Sequence, residues 1–289
     1  MRKASDVAAV RAWIEECHAE LGVEGPRMQI ISKIENAEAL DNFEEILTAS
    51  DGIMVARGDL GVEIPFEKVA TAQKQMVSMC NQVGKPVIVA TQMLESMQKH
   101  PRPTRAEVSD VANAVCDGAD CVMLSGESAK GKYYKESISS MYSIVAEASE
   151  ANADFAAPQL AEDSSYTESM AVGAVTAATA HGATAIVVLT ASGDTARLVA
   201  KFRPSMPVVA LCSTSKVARQ LQLTRGVLPY VSGDALSSAG LTAAEQKSKC
   251  TEILKSIGLM ADSEKHSVVL LGSDTDAAHD VYGQIFEAK

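Results

Sequence analysis

The chain has 289 residues, enough for two domains of ordinary size, and 47% of them are hydrophobic, so a sizeable core can be buried. A net charge of −11 argues against nucleic acid or an anionic membrane as the main partner, although local cations can still bind an anionic substrate. The six cysteines form no CxxC pair and no zinc-ligand spacing with the histidines, and no stretch is apolar enough for a membrane span or a signal core, so we expect a reducing, cytoplasmic location.

The first part of the chain predicts strands that alternate with helices. A first helix is expected from a cap at Ser5 or Asp6 to about Leu21. Strands are predicted at residues 28–34, 52–56, 86–91 and 121–125, and helices near residues 37–47, 65–82, 104–117 and 134–150. This alternation indicates a parallel sheet, whose chemistry lies at the C-terminal strand ends. Four such units are half of the eight that a (β/α)8 barrel needs, so we expect either an open sheet or about half of a barrel.

A second α/β unit is predicted after residues 151–165, whose Ala, Asp and Ser content is typical of a linker. Its predicted elements are helices at residues 167–181 and 242–257, strands at 185–190, 207–212, 226–231 and 267–272, and a last short strand at 281–286. We therefore expect two domains, residues 1–152 and residues 153–289, the second built on a parallel sheet.

Lys33 and Glu35 lie in the segment Ile31-Ser32-Lys33-Ile34-Glu35-Asn36 at the end of the first strand, and alternation sends both side chains to one face. A lysine there can neutralise a phosphoryl group, and the carboxylate can hold Mg²⁺ or Mn²⁺, which prefer oxygen ligands. A solvated ion pair at a strand end explains this hexapeptide about as well.

Asp59 follows the next strand in Arg57-Gly58-Asp59-Leu60-Gly61. Glycines there let backbone N–H groups approach an anion, and Asp59 offers the same cation a second oxygen ligand. A plain turn or a helix cap is the alternative. Two carboxylates on adjacent strand ends, each beside a cation, favour the metal site.

Thr91, Ser125 and Glu127 lie at the ends of the last two strands of this half. Thr91 can bond a substrate carboxylate, while Ser125 and Glu127 can relay a proton. Each hydroxyl taken alone is more often a cap or turn residue. Met93 and Met97, which lie four residues apart, are predicted to belong to the core.

These segments, in this order and spacing, resemble pyruvate kinase, the enzyme family that transfers phosphate from phosphoenolpyruvate to ADP. The matching segments are residues 29–36, 49–65, 84–97, 101–107 and 117–131. The resemblance implies that Lys33 stabilises the phosphoryl group and the enolate, and that Glu35 and Asp59 bind Mg²⁺ or Mn²⁺.

The resemblance also implies that the Gly58 and Asp59 N–H groups and the Thr91 hydroxyl hold the substrate carboxylate. Thr91, Ser125 and Glu127 remain alternative sources of the proton that converts enolpyruvate into pyruvate. By the same resemblance, the chain corresponds to barrel strands five to eight and the C-terminal domain. The groups that bind the substrate phosphate and K⁺ would then be absent from it.

In the second domain, Thr190, Ser192, Gly193 and Thr195 follow a strand and open a helix, which is typical of an anion site, although an ordinary N-cap is simpler. The resemblance implies the phosphate of a sugar-phosphate activator there. Asp194 adds a negative charge, and residues 271–276 lack a glycine-rich loop with basic flanks. Fructose 1,6-bisphosphate is therefore not expected, while another sugar phosphate and no effector both remain open.

Arg105 and the helix after it correspond, by resemblance, to a subunit contact in an allosteric homotetramer, and a plain exposed barrel helix is the alternative. We expect a glycolytic kinase that uses ADP and ATP, present as a truncated chain with weak or no activity alone. A non-catalytic partner or regulatory fragment that associates with intact subunits is the competing hypothesis. A metal-dependent aldolase barrel explains neither the second domain nor the joint presence of the motifs.

Overall fold

The structure is a computed structural model that describes residues 1–151, 158–161, 163–232, 243–261, 266–273 and 281–288. It contains two compact units, Met1–Ala156 and Ala157–Lys289. Within the described ranges, no helix combines the length and the apolar character needed to cross a membrane. The predicted domain boundary at residues 152 and 153 lies outside these ranges and stays a prediction, as does most of the predicted linker.

The first unit is built on a four-stranded sheet in the order β1-β2-β3-β4. Its strands are β1 (Ile31–Ile34), β2 (Gly52–Ala56), β3 (Val87–Ala90) and β4 (Cys121–Met123). Every neighbouring pair is parallel, as predicted. Since neighbours in the sheet are also neighbours in sequence, each strand reaches the next through a helical crossover, and all four C-terminal ends lie at one edge.

The helices of this unit connect the strands or flank them. They are α1 (Ala4–Leu21), α2 (Ala37–Asp41), α3 (Phe43–Ala49), α4 (Arg57–Glu63), α5 (Phe66–Val83), α6 (Arg105–Cys116), α7 (Gly126–Ala129) and α8 (Tyr134–Ala151), with a 3-10 turn at Glu95–Gln98. Helix α5 shows why they form: Met76, Val77 and Cys80 lie on one buried face, and Gly84 ends the helix in the left-handed conformation.

The core of the first unit is aliphatic and methionine-rich, because the chain has few aromatic residues. All four residues of β3 are buried, as expected for a parallel strand covered on both faces. Met93 and Met97 are fully buried, which confirms that they belong to the core.

Several predicted boundaries in this unit were wrong. Helix α1 begins at Ala4, so neither Ser5 nor Asp6 is its cap; instead, the Asp6 carboxylate accepts backbone N–H groups from Arg2 at 2.8 Å and Lys3 at 3.2 Å. The single helix predicted at residues 37–47 is two helices that meet at Asn42. The first strand begins at residue 31 rather than 28.

The second unit contains a five-stranded sheet in the order β7-β6-β5-β8-β9. Its strands are β5 (Ala185–Thr190), β6 (Val208–Cys212), β7 (Val227–Val231), β8 (His266–Ser273) and β9 (Val281–Ala288). Its helices are α9 (Tyr166–Ala180), α10 (Asp194–Lys201), α11 (Ser215–Leu221) and α12 (Ala243–Ser256). Pro229 lies in β7, and an edge strand tolerates the missing N–H of proline.

The predicted parallel sheet is correct for β5 to β8, but β9 pairs antiparallel to β8. The physical reason is the connection: β8 ends at Ser273 and β9 begins at Val281. A parallel crossover needs a dozen or more residues, so a connection this short returns the chain in the opposite direction.

Asp51 links the start of the first sheet to α1. Its carboxylate, only 10% exposed, accepts from Ile30 N at 2.8 Å, Arg11 Nη2 at 3.0 Å and Arg27 Nη2 at 2.6 Å. Burial raises the Asp51 pKa, but these hydrogen bonds and the two arginine charges outweigh burial, so the pKa lies below its usual range.

We expect Asp51→Asn to lower the free energy of unfolding by about 2 kcal/mol near pH 7, because charged hydrogen bonds are lost in a buried place. A pKa that is lowered in the folded state stabilises the fold at pH values above the pKa of the unfolded chain, which is about 3.9. This stabilisation is lost as the pH falls through the folded-state pKa. The loss should therefore shrink steadily below about pH 4. Urea unfolding across this range measures it, with exposed Asp41→Asn as the control; a loss that does not change with pH would contradict the assignment.

Candidate active site

Lys33, Glu35 and Asp59 meet at the C-terminal edge of the first sheet. The Lys33 Nζ atom lies 2.7 Å from Glu35 Oε2 and 3.8 Å from Asp59 Oδ2. Parallel register explains the approach, because Ile34 at the end of β1 pairs with Val55 near the end of β2. Asp59 then lies in the first turn of α4, where the helix dipole favours a negative charge.

The charges of this group reinforce one another. The hydrogen bond from Lys33 lowers the pKa of the Glu35 carboxyl, and the same bond to Glu35 raises the pKa of Lys33, with Asp59 adding a smaller effect. Both residues are therefore held in their charged forms at neutral pH. The Lys33 side chain is half exposed, so solvent screens the pair, and its contribution to stability is small.

A cleft of about 750 Å³ opens beside this group. Its lining is Arg2, Lys33, Glu35, Asn36, Glu38, Asp59, Val62 and Glu63. Four carboxylates face two cationic side chains, so the cleft as it stands repels an anionic substrate. A further cation is needed before it can hold one.

The residues present fit a divalent metal that keeps other ligands besides the protein. Within the described ranges, no three His, Cys, Asp or Glu side chains gather into a cluster that could hold a metal alone. Mg²⁺, however, is usually held by one or two carboxylates, with water and substrate oxygens completing its octahedron. Glu35 and Asp59, which share Lys33, provide such a pair.

Thr91 lies directly against Gly58. A Cβ atom built on Gly58 would lie 2.7 Å from Thr91 Cγ2 and 3.7 Å from Thr91 Oγ1, so only glycine permits this approach. Thr91 has φ of 78° and Gln92 has φ of 55°. Positive φ at a β-branched residue costs about 1–3 kcal/mol and persists only where the surroundings enforce it.

Glu127 is fully buried between the loops that follow β3 and β4. Its Oε1 accepts from Leu94 N at 3.0 Å, and its Oε2 accepts from Ser125 N at 2.8 Å. These bonds connect the segment that follows β3, residues 91–98 (the Thr91 loop), to the end of β4. Glu127 therefore holds the backbone of the site together, while its predicted part in proton transfer, like that of Ser125, stays a prediction.

Two contributors to the site escaped sequence reasoning. Arg57 was paired with Asp59 as its cation, but the guanidinium turns away to Asp110, and Lys33 takes its place. Glu107 accepts from Thr104 N and from Ser96 N, both at 2.7 Å, and so fixes the 3-10 turn beyond Thr91 to the start of α6. The Thr-x-x-Glu spacing of a capping box was the available signal for Glu107.

In the loop after β5 of the second unit, several polar side chains bind groups of the loop and of α10. Thr190 Oγ1 accepts from Gly193 N at 2.9 Å, and Ser192 Oγ donates to Asp194 Oδ2 at 2.8 Å. Arg197 Nη1 donates to Asp194 Oδ1 at 2.9 Å. The Asp194 carboxylate thus binds the Ser192 hydroxyl and one nitrogen of the Arg197 guanidinium, while Arg197 Nη2 is buried without a hydrogen-bond partner. Residues 274–276 of the second predicted loop lie outside the described residues.

Both units match known protein domains. The family "Pyruvate kinase, barrel domain" matches residues 1–138, and "Pyruvate kinase, alpha/beta domain" matches residues 168–279. The chain belongs to the pyruvate kinase family. Pyruvate kinase PKLR of Homo sapiens and the pyruvate kinase of Dictyostelium discoideum are each 54% identical over 239 residues, which is 80% of this chain.

The chain spans less than half the length of these pyruvate kinases, 40% of the human protein and 46% of the Dictyostelium protein. A crystal structure of a pyruvate kinase from Cryptosporidium parvum matches this chain with a TM-score of 0.87 and 38% sequence identity. The match covers 100% of this chain and 57% of the Cryptosporidium chain. Family membership and the α/β fold are thereby confirmed, while the roles of individual residues stay predictions. Arg105 is exposed at the start of α6, and its predicted subunit contact stays a prediction too.

We expect Glu127→Gln to destabilise the first unit by about 1–3 kcal/mol, because one backbone N–H would face an amide NH₂ instead of an oxygen. The comparison is Glu136→Gln, which makes the same change at an exposed position of α8. Urea unfolding of both variants near pH 7 measures the difference. Equal stability of Glu127→Gln and the wild type would show that the carboxylate does not hold these loops.

Proposed function

We propose that this chain carries the metal- and enolate-facing part of a pyruvate kinase active site, which transfers a phosphoryl group from phosphoenolpyruvate to ADP. The observation that carries the proposal is the meeting of Lys33 with Glu35 and Asp59, beside Thr91 packed on Gly58. A cationic side chain, a pair of carboxylates and a hydroxyl with neighbouring N–H groups are the parts that charge neutralisation requires.

Lys33 stabilises the negative charge of the phosphoryl group during its transfer and that of the enolate that remains. Its hydrogen bond to Glu35 keeps the ammonium group protonated, so it acts as a fixed positive charge rather than as a base. Glu35 and Asp59 would hold Mg²⁺ or Mn²⁺, which would supply further positive charge for the phosphoryl transfer. Positioning and electrostatics supply most of the catalysis in such transfers.

The substrate carboxylate is held by the N–H groups of Gly58 and Asp59 and by the Thr91 hydroxyl. The first N–H groups of a helix lack acceptors within it, and both residues lie in the first turn of α4. The proton that completes pyruvate comes from the Thr91 side of the site. Glu127 is a less direct proton donor, because its carboxylate is buried and already accepts two N–H groups. Ser125 remains the alternative donor.

We propose further that the first unit is about half of a (β/α)8 barrel. Four parallel strands with intervening helices support this, as does the match to a barrel domain over residues 1–138. The groups that bind the substrate phosphate and K⁺ then lie outside these 289 residues. Cytoplasmic glycolysis and a homotetramer with contacts through the Arg105 helix belong to the same proposal.

The purified 289-residue chain should show turnover at least about a hundredfold below that of an intact relative, because misplaced substrate alone costs that much. A coupled assay that consumes pyruvate measures it, with Lys33→Met as the blank for contaminating host enzyme. Turnover equal to that of the blank would fit both the half-site proposal and the competing hypothesis of a non-catalytic partner fragment, and light scattering of the chain mixed with an intact relative would then separate the two. Turnover near that of an intact relative would contradict both the half-site proposal and that alternative.

The metal pair can be tested without turnover. Mn²⁺ should bind the wild-type chain weakly, and a Glu35→Ala, Asp59→Ala double variant should bind at least about tenfold more weakly. Calorimetric titration measures the affinities. The matched control is a Glu15→Ala, Glu16→Ala double variant, which removes the same charge from the exposed side of α1. Equal affinities in the two double variants would count against the site.

The loop at Thr190–Thr195 favours the absence of a phosphate effector over another sugar phosphate. The Asp194 carboxylate engages Ser192 and Arg197, the groups that would otherwise turn to a phosphate. A phosphate at this loop would have to displace a carboxylate that is covalently part of the chain.

A further inference from the structure

Arg57 has a nearly buried guanidinium at the C-terminal edge of the first sheet. Its side chain is 12% exposed and lies between the end of β3 and α6. The Nη2 atom donates to Thr91 O at 2.7 Å, and the Nε atom lies 3.2 Å from the same oxygen and 3.3 Å from Ala90 O. The Nη1 atom donates to Asp110 Oδ1 at 2.7 Å and to Gln73 Oε1 at 3.3 Å.

The Thr91 carbonyl oxygen thus accepts hydrogen bonds from two nitrogens of one planar guanidinium. These bonds hold the backbone of Thr91, whose φ of 78° is unfavourable for threonine. Relaxation of Thr91 to an ordinary negative φ would rotate its carbonyl away from the guanidinium. It would also lift the side chain from its close approach to Gly58, where Thr91 Oγ1 lies 3.7 Å from the place of a Cβ atom.

We propose that Arg57 is a positioning residue, which acts through the Thr91 carbonyl to hold the Thr91 hydroxyl beside the N–H groups of Gly58 and Asp59. The proposal rests on the proposed function, in which that hydroxyl helps to bind the substrate carboxylate. Arg57 itself is not placed to bind substrate in this arrangement, because its donors are directed at protein oxygens and, through Nη2, at Met93 Sδ at 2.8 Å.

Helix α6 provides the fixed support for this grip. Asp110 holds the guanidinium, and Glu107, one turn earlier on the same helix, binds Ser96 N at 2.7 Å and Ser96 Oγ at 2.6 Å. The Thr91 loop is therefore attached to α6 at its beginning through Arg57 and near its end through Glu107. A change at Asp110 should reach Thr91 with no direct contact between them.

The test compares Arg57→Lys with Arg11→Lys in the full chain. Lysine keeps the charge but lacks the planar fork that grips one carbonyl twice. Arg11 is a matched control, since it is also largely buried and donates to a carbonyl, Ala49 O, and a carboxylate, Asp51. Two signals are read: the NMR methyl resonance of Thr91, assigned with Thr91→Ser, and the binding of oxalate, a planar analogue of the pyruvate enolate, with Mn²⁺.

In Arg57→Lys, we expect the Thr91 methyl resonance to shift and broaden, and oxalate affinity in the presence of Mn²⁺ to fall at least about tenfold. Mn²⁺ affinity without oxalate should change less than about twofold, since Lys33, Glu35 and Asp59 are untouched. A merely structural role would weaken both affinities together. Arg11→Lys should leave the resonance and both affinities as they are.

A double-mutant cycle with Thr91→Val tests whether Arg57 acts through Thr91. In the Thr91→Val background, Arg57→Lys should weaken oxalate binding by less than about twofold more, whereas additive losses would overturn the proposal. If Arg57→Lys does not fold, Asp110→Asn loosens the same guanidinium and should move the Thr91 resonance in the same direction.

The two levels of the proposal fail differently. A wild-type chain that binds no oxalate would count against the proposed function, and the methyl resonance would then decide the role of Arg57. An unmoved Thr91 resonance in Arg57→Lys, or in Asp110→Asn where Arg57→Lys does not fold, would overturn the role of Arg57 whatever the oxalate result.

Discussion

The parallel pairing of β1 to β4 is the constraint on which the candidate site depends. Because neighbouring strands run in the same direction, the residues that follow them emerge at one edge, although Lys33 and Thr91 are far apart in sequence. The apolar side chains of these strands pack in the core, while Lys33, Glu35, Asp59 and Thr91 lie at or just beyond the strand ends. A register shift between β1 and β2 would separate Lys33 from Asp59 and remove the shared charge cluster.

Charged groups that are buried or partly buried determine the shape of the loops at that edge. Arg57, Glu107 and Glu127 each bind backbone atoms of the segment that follows β3, and they come from three different helices. A charge removed from water is costly unless it is paired and hydrogen-bonded, so these groups and the backbone atoms that they bind hold one another in place. This explains how Thr91 can keep a strained backbone: the surrounding bonds are collectively worth more than the strain.

The sequence was sufficient for whatever depends on local pattern. The approximate strand positions and the parallel pairing of β1 to β4 follow from apolar runs that alternate with helices, and alternation brought Lys33 and Glu35 together. It was insufficient where a distant side chain decides. Arg57 adjoins Asp59 in sequence, yet Asp110 on α6 turns it away, and no local pattern contains that pairing. The same holds for β9, whose antiparallel direction depends on the length of a connection rather than on its own composition.

The two units use similar loops in opposite electrostatic states. In the second, the Asp194 carboxylate pairs with the Arg197 guanidinium and binds the Ser192 hydroxyl, so the charges after β5 are balanced within the chain. In the first, Glu35, Asp59 and two further carboxylates face only Lys33 and Arg2, so the charges of the cleft are unbalanced. An unbalanced cleft is costly for the folded chain alone but favourable for a ligand that brings the missing cation. By this criterion, ligand binding is expected at the edge of the first sheet.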